Sequence, residues 1–454
     1  MSTPSSLPPP DAVTLRTAFW YWLKLGCTSF GGPAGQIAMM HAELVERRRW
    51  ISEQRFLHAL NYCMLLPGPE ATQLAIYIGW LLHRTAGGVL AGLLFLLPSL
   101  CVLIALSWLY LAYGQLAAVG AILYGVKPAV VAIVVAAAWR LGRRTLRSPA
   151  LLALAGAAFL GIAVLHLPFP LIVLGAALLG LVGGILLPQQ FAPPAAPPAA
   201  PSPAPGTAAQ PHAAALIDNH TPTPPHARLS WPRMLRTCLL GLSLALLAWA
   251  ALAWAGGRHH PLSQMAVFFG KAALLTFGGA YAVLPYLHQG AVEHFHWLTA
   301  AQMMDGLALG ETTPGPLIMI VAFIGFVGGW GQAAVGAPLW LAGMCGALVT
   351  AWFTFLPSFI FILAGAPLVE ATRGNLRLQA PLTAISAAVV GVMASLAVFF
   401  GRHVFVPGAD PAGVDWLAVA LAGTALLALL QFRVGTIKLL LSCAISGLVL
   451  SYLP

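Results

Sequence analysis

Residues 28–50 read TSFGGPAGQIAMMHAELVERRRW, and residues 275–297 read LTFGGAYAVLPYLHQGAVEHFHW. Sliding the chain by 247 residues lays one stretch on the other. Lys24 meets Lys271, Phe30-Gly31-Gly32 meets Phe277-Gly278-Gly279, and His41 meets His288. Val45-Glu46 meets Val292-Glu293, Trp50 meets Trp297, and Pro67-Gly68-Pro69 falls on Pro314-Gly315-Pro316. From 24 to 69, 12 of 46 positions are identical without a gap. Farther on the offset becomes 259, setting Leu97-Pro98-Ser99 on Leu356-Pro357-Ser358 and Ala129-Val130-Val131 on Ala388-Val389-Val390. A duplication at this period is the layout of a secondary transporter built from structural repeats.

The surrounding text belongs to a membrane. Of 454 residues, 59% are apolar and 7% charged, and the mean hydropathy is +0.86. A soluble chain carries roughly a quarter of its residues as charges. Twelve acids and 22 bases cannot wet a 47.5 kDa globule, and apolar stretches of about 20 residues recur along the chain. The expected fold is an all-α polytopic membrane protein with two homologous, inverted-topology halves and Pro/Gly-broken, re-entrant helices. Residues 1–187 form the first repeat. Residues 188–232 are a Pro/Ala-rich linker with too little apolar surface to order itself. Residues 233–454 form the second repeat, with one extra leading transmembrane helix from Met234 to Ala255.

The inversion is read from charge. Residues 41–55 contain Arg47, Arg48, Arg49 and Arg55, whereas the matching residues 288–302 have no Lys or Arg. The positive-inside rule places the first loop in the cytoplasm and the second outside. If the FGG and PGP segments dip in and return, 17 of the 22 bases gather on the cytoplasmic face. That arrangement leaves about nine full spans. The linker and N-terminus are then cytoplasmic, and the lipid bilayer in question is the inner membrane. The net charge of +10 reads as this loop bias and not as a nucleic-acid surface, since no basic face or binding motif occurs. MSTPSSLPPPDAVTLR has no basic region before an apolar core, so no cleavable signal peptide is expected.

Candidate chemistry lies at the helix breaks. Proline removes a backbone donor and clashes with the preceding turn. Non-helical backbone at membrane depth survives only where protein buries it or a wet cavity adjoins it. A helix restarting after Gly32-Pro33 or Pro69, or after Gly279 or Pro316, presents free N–H groups and a positive dipole end to an anion. Lys24 and Lys271 precede the FGG motifs by six residues, and a lysine in an apolar segment is by default a functional hypothesis, although its stem also lets it snorkel to the interface. Thr28, Ser29, Gln36, Asn61, Thr72, Gln73, Thr276, Thr312 and Thr313 add neutral donors. Donors that outnumber carboxylates suit a doubly charged oxyanion.

Glu70 follows the first PGP directly and Glu311 precedes the second by three. They are not repeat equivalents. Each fits a proton carrier that couples transport, or a cap on a broken helix end. Asp305 is a weaker candidate of the same kind, Lys127 meets Ser386 and so has no basic counterpart, and the histidines at 288, 294 and 296 read as a solvated loop. Gly325 and Gly329 form a GxxxG, the pattern of homodimer contacts, but in so glycine-rich a chain it says little about self-association. Six single cysteines and the linker histidines His212, His220 and His226 form no disulfide framework or metal motif. No phosphate loop, nucleophile elbow or dinucleotide fingerprint occurs, so no catalytic residue and no cofactor is expected.

These residues resemble the chromate ion transporter family in its long, two-domain form. The matching text is SFGGPAGQIAMMHAELVERRRWISEQRF, LLPGPEATQLAIYIGW and GVKPAVVAI, then TFGGAYAVLPYL and TTPGPLIMIVAFIGF. The resemblance implies chromate export driven by the membrane potential or by protons, chromate resistance, and sulfate as a look-alike ligand. Carried over by motif, the functional positions are Phe30, Gly31, Gly32, Pro33, Glu70 and the Pro67-Gly68-Pro69 break. Uptake of sulfate or another oxyanion, and an uncoupled anion channel or sensor, are the alternatives.

Overall fold

The computed structural model of the protein describes residues 12–30, 32–114, 116–191, 215–218, 221, 224–277, 280–332, 338–371, 379–406, 413–432 and 434–451. Gly31, Gly278, Gly279, His212 and His220 lie outside the described residues. The first half runs α1 (Leu15–Thr28), α2 (Gly32–His41), α3 (Glu53–Leu65), α4 (Glu70–Tyr113), α5 (Ala117–Thr145), α6 (Pro149–Ala163) and α7 (Phe169–Leu186). The second runs α8 (Trp231–Gly256), α9 (Pro261–Leu275), α10 (Leu284–Leu287), α11 (Ala300–Thr312), α12 (Ile320–Gly331), α13 (Leu339–Ala371), α14 (Gln379–Phe405), α15 (Trp416–Leu430) and α16 (Thr436–Ser451). Six described helices, α4, α5, α7, α8, α13 and α14, are long and apolar enough to cross a membrane, and shorter apolar helices accompany them. This is a multi-pass helical membrane protein.

The repeat extends to backbone detail. Ser52 caps α3 by accepting from the Arg55 amide, and the equivalent Thr299 caps α11 in a reciprocal box with Gln302. Ahead of them lie two π-helical turns, Ala42–Arg47 and His288–His294. Both turns end in a positive-φ residue, Arg49 at 52° and His296 at 53°. The next amide, of Trp50 or Trp297, then donates 2.8 Å back to Leu44 or Ala291. His41 faces Glu46 at 3.3 Å, and His288 faces Glu293 at 3.2 Å.

The halves differ between the PGP and LPS motifs. Within α4, His83 (φ −134°, ψ 32°) and Arg84 (φ 58°, ψ −156°) reverse the chain, so residues 70–82 fold back on residues 85–113. Only glycine lets the arms meet this closely: a Cβ on Gly79 would sit 2.5 Å from the Gly87 carbonyl. In the second half the corresponding helices are separate, α12 and α13. The twelve extra residues that move the offset from 247 to 259 lengthen their facing ends and the connection between them.

The halves also exchange parts. Helices α6 and α7 pack on α14 of the second half, and α15 and α16 pack on α5 of the first. Gly125 on α5 meets Gly447 on α16, and Gly180 on α7 meets Ala384 on α14. The residue 85–113 arm crosses α13 where Gly92 faces Phe359. The extra leading helix, α8, packs on α13 and α9 and buries little of itself.

One pattern left open is placed here, and two expectations are corrected. Gly325 and Gly329 seat the Gly346 and Ala342 backbone of α13, so this GxxxG face is used within the chain and is closed to a second copy. His288 is buried, its ring edge-on to Phe399 at 4.3 Å, whereas His294 and His296 are exposed. The end of the linker is folded: the Leu216 and Ile217 amides donate to Arg49 and Trp50, and Ser52 donates to the Ile217 carbonyl. Arg55 reaches the Thr221 carbonyl, and the buried Ala227 lies beside His226, which bonds to the Trp80 carbonyl at 3.1 Å. Leu216-Ile217 supplies apolar surface for this contact, as Phe191 does at the start of the linker, where it is buried.

Candidate functional site

The expected breaks are present in both halves. Helix α1 stops at Thr28 and leaves Ser29 extended. Residues 66–69 separate α3 from α4, with Gly68 at φ 125°. In the second half α9 stops at Leu275, and Gly315 stands at φ 100° between α11 and the short 3-10 turn Leu317–Met319.

Each PGP turn is tied to the FGG break of the opposite half. The Gly68 amide donates to the Thr276 carbonyl at 2.7 Å, and the Gly315 amide to the Ser29 carbonyl, also at 2.7 Å. These are the same bond under the repeat relation. The LPS serines cross over likewise. A Cβ on Gly68 would lie 2.5 Å from Ser358 Oγ, and one on Gly315 would lie 2.6 Å from Ser99 Cβ. Glycine is required twice at each turn, for positive φ and for space.

Polar side chains gather at both crossings. Around Gly315, the buried Gln36 amide donates to the Gly315 carbonyl and lies 3.5 Å from the Ser29 carbonyl. Around Gly68, Gln73 donates to the Pro67 carbonyl at 2.7 Å and lies 3.5 Å from Ser358 Oγ. Ser29 Oγ, Thr72 Oγ1 and Ser99 Oγ, with Gln36 Oε1 and Gln73 Oε1, are buried and have no hydrogen-bond partner. Buried polar atoms are nearly always satisfied, so a cluster of atoms without a protein partner makes this the candidate site. Thr276 differs, because its hydroxyl is satisfied by the Ala272 carbonyl at 2.7 Å.

The expected site residues thus divide. Ser29, Gln36, Thr276, Gly68, Gly315 and the flanking Pro67, Pro69, Pro314 and Pro316 come together at the crossings, with half-buried Phe30, Gly32, Pro33 and Phe277 beside them. Lys24 and Lys271 are exposed. Lys271 opens on a cleft of about 810 Å3 lined also by His166, Arg258, His259, Glu293 and His294. Glu70 opens α4 just after the Gly68 turn. Glu311 accepts from the Tyr281 hydroxyl, which joins the two breaks of the second half. Two exposed arginines near the end of α5 act on these acids by charge alone, with no ion pair among the described residues: Arg140 on Glu311 and Tyr281, and Arg144 on Glu70.

Ser99, Ser358, Tyr281, Arg140 and Arg144 were not anticipated at the site. The repeated Leu-Pro-Ser carried the signal for the serines. The arginines read as loop charges, and only the path of α5 brings them to the acids.

The model of the chromate transporter family matches residues 16–181 and 263–448. A chromate transport protein of Pseudomonas aeruginosa is 31% identical over 457 residues, covering 98% of this chain and 94% of that one. A probable chromate transport protein of Synechococcus elongatus is 30% identical over 395 residues, 86% of each chain. A chromate transport protein of Cupriavidus metallidurans is 29% identical over 390 residues, 86% of this chain and 83% of that one. No solved structure matches.

Proposed function

The chain belongs to the chromate transporter family, and from that premise we propose that it is a secondary active transporter exporting chromate across the cytoplasmic membrane and so conferring chromate resistance. The observation that carries this reading is the pair of orphaned buried hydroxyls at the Gly315 crossing, Ser29 and Ser99, with that of Thr72 next to Gln73 on α4. A tetrahedral dianion needs several converging donors, and hydroxyls meet that need without fixing a positive charge that would hold the anion too tightly. The restarting helices behind Gly32, Pro69 and Pro316 add their dipole ends. Lys24 and Lys271 contribute positive charge from the exposed flanks. Glu70 and Glu311 are the proposed coupling acids, with protons as the coupling ion, and Arg140 and Arg144 draw the anion toward them.

The FGG and PGP segments are proposed to re-enter from opposite faces. In the first half this is supported by the two ends of the PGP segment. Ser52 bonds to Ile217 of the linker, Trp80 to His226 of the linker, and His83 to Val13 near the N-terminus at 2.7 Å. In the second half, Gln289 bonds to Leu167 and Phe169 in the α6–α7 connection. That connection lies at the far end of α6 from Ser148, which in turn reaches Gln190 after α7 at 2.7 Å.

The test is chromate accumulation in inverted membrane vesicles, with and without an imposed pH gradient, and with sulfate as competitor. Vesicles carrying the protein should accumulate chromate above empty ones, and the gradient should change the extent. Equal accumulation in both vesicle types would sink the reading.

A further inference from the structure

A buried carboxylate outside the residues of both crossings joins α5 to α11 through an ion pair. Lys127 Nζ of α5 is 3.5 Å from Asp305 Oδ1 of α11, and the Tyr110 hydroxyl of α4 donates to Asp305 Oδ2 at 2.9 Å. The ends of the pair differ. The Asp305 side chain is 4% exposed and that of Lys127 28%, so the carboxylate is sealed while the lysine side chain is partly open. The two oxygens differ as well. Oδ2 is satisfied by Tyr110, whereas buried Oδ1 has only the Lys127 ammonium, at 3.5 Å and so at the outer limit of a hydrogen bond. The repeat does not duplicate the pair: Lys127 corresponds to Ser386, and Asp305 to His58. Among the described residues the ionisable groups that act on Asp305 are Lys127 from α5 and Tyr110 from α4; none comes from α12, α14, α16 or the His288–His294 turn, which also pack on α11.

We propose that Lys127 is a second contact for the transported oxyanion, and that Asp305 takes up a proton from water when the anion draws Lys127 away. The inference rests on the oxyanion-transporter reading above. An ammonium has three donors, and the loose contact with Oδ1 leaves it donors to offer a dianion at the partly open side of Lys127. Asp305 then has a buried, uncompensated charge on Oδ1, and a carboxylate in that position neutralises itself by protonation. The balance is simple: one anion is bound and one O–H bond forms on Asp305, with the proton supplied by solvent. Anion binding and proton binding are thereby linked at a site separate from Glu70 and Glu311.

The test uses the purified full-length protein in lipid nanodiscs. Chromate is added in weakly buffered, mildly alkaline solution, where it is wholly dianionic. Calorimetry reads binding and an indicator dye reads protons. Glu70 and Glu311 can add their own protons to the count, so the reading is the difference between variants. Wild type should take up about one proton per anion more than Asp305→Asn, and its affinity should fall more steeply as pH rises. Asp305→Asn frees Lys127, so it should bind chromate at least as tightly. The double variant Lys127→Met/Asp305→Asn leaves no orphan charge and guards against misfolding; it should bind at least tenfold more weakly, with the same proton count as Asp305→Asn. A merely structural ion pair would leave the proton count unchanged in both variants. An Asp305→Asn count equal to that of wild type overturns this proposal alone. Absence of chromate binding by wild type overturns it together with the transporter reading.

Discussion

The Gly315 amide donates to the Ser29 carbonyl across the two halves of the molecule, 2.7 Å away. Its repeat counterpart, Gly68 to Thr276, has the same length. Each broken turn is therefore held by the end of a helix from the other half, and a disturbance at one glycine is felt in both.

Gly315→Ala and Gly68→Ala should each damage the protein severely. Either places a Cβ within 2.6 Å of a serine and forces a side chain into positive φ. Backbone strain alone costs about 1–3 kcal/mol, and the serine must also move. Gly32→Ala shares the positive φ but meets nothing within 4 Å, so it should be milder. Thermal unfolding of the three purified variants should rank them in that order.

The orphaned hydroxyls separate a ligand role from a structural one. Ser29→Ala, Ser99→Ala and Thr72→Val remove buried groups that have no partner in the protein. Stability should hold or rise, because an unsatisfied buried donor is a penalty to the fold. Chromate KM in vesicles should rise roughly fivefold for each, the equivalent of about 1 kcal/mol for a lost hydrogen bond. A fall in stability with KM unchanged would contradict the site.

Much of this site could be read from sequence, and the reasons for success and failure are physical. Proline and glycine act locally, so Pro67-Gly68-Pro69 announced its own turn, and the duplication announced its counterpart. The partners could not be read. That Gly68 meets Ser358 and Gly315 meets Ser99 is a crossing between halves, and spacing along one chain does not encode it. The lysines failed to join the crossings for a related reason. A helix position shows that a charge lies in an apolar segment but not which way it faces, and Lys24 and Lys271 face outward. Lys127 and Asp305 carried the same sequence signal and proved to be partners.

Lys24→Ala should lower the initial rate of chromate transport and leave thermal stability within about 0.5 kcal/mol, as for a surface substitution. Lys24→Arg should keep most of the rate. An unaltered rate in Lys24→Ala would remove this residue from the anion path.

Ile217→Ala should destabilise the protein by about 2 kcal/mol, in the range for a buried isoleucine truncated to alanine. It should also make the Arg47 to Arg55 loop more sensitive to trypsin, because the Leu216-Ile217 segment bonds along Arg49, Trp50 and Ser52.

Outside the membrane, Glu43 predicts an acid effect. Arg48 donates to its carboxylate at 2.7 Å and, with help from Arg47, holds the carboxyl below its ordinary value of 4.5. A lowered value means that the stabilisation is complete above the ordinary carboxyl range and is lost as pH falls through the lowered one. The pair is partly exposed, so its worth is under about 1 kcal/mol. Glu43→Gln should be slightly less stable than wild type at neutral pH, and the difference should vanish in acid below 4.5.

Because α6 and α7 complete α14 while α15 and α16 complete α5, neither half closes its own bundle. A ribosome releasing the first 190 residues delivers an unfinished object, whose last hairpin waits on the bilayer for a surface not yet synthesised. The tether between the halves is then an assembly device. It keeps two interlocking pieces at high local concentration through the interval when each, left alone, would offer its bare flank to the wrong neighbour.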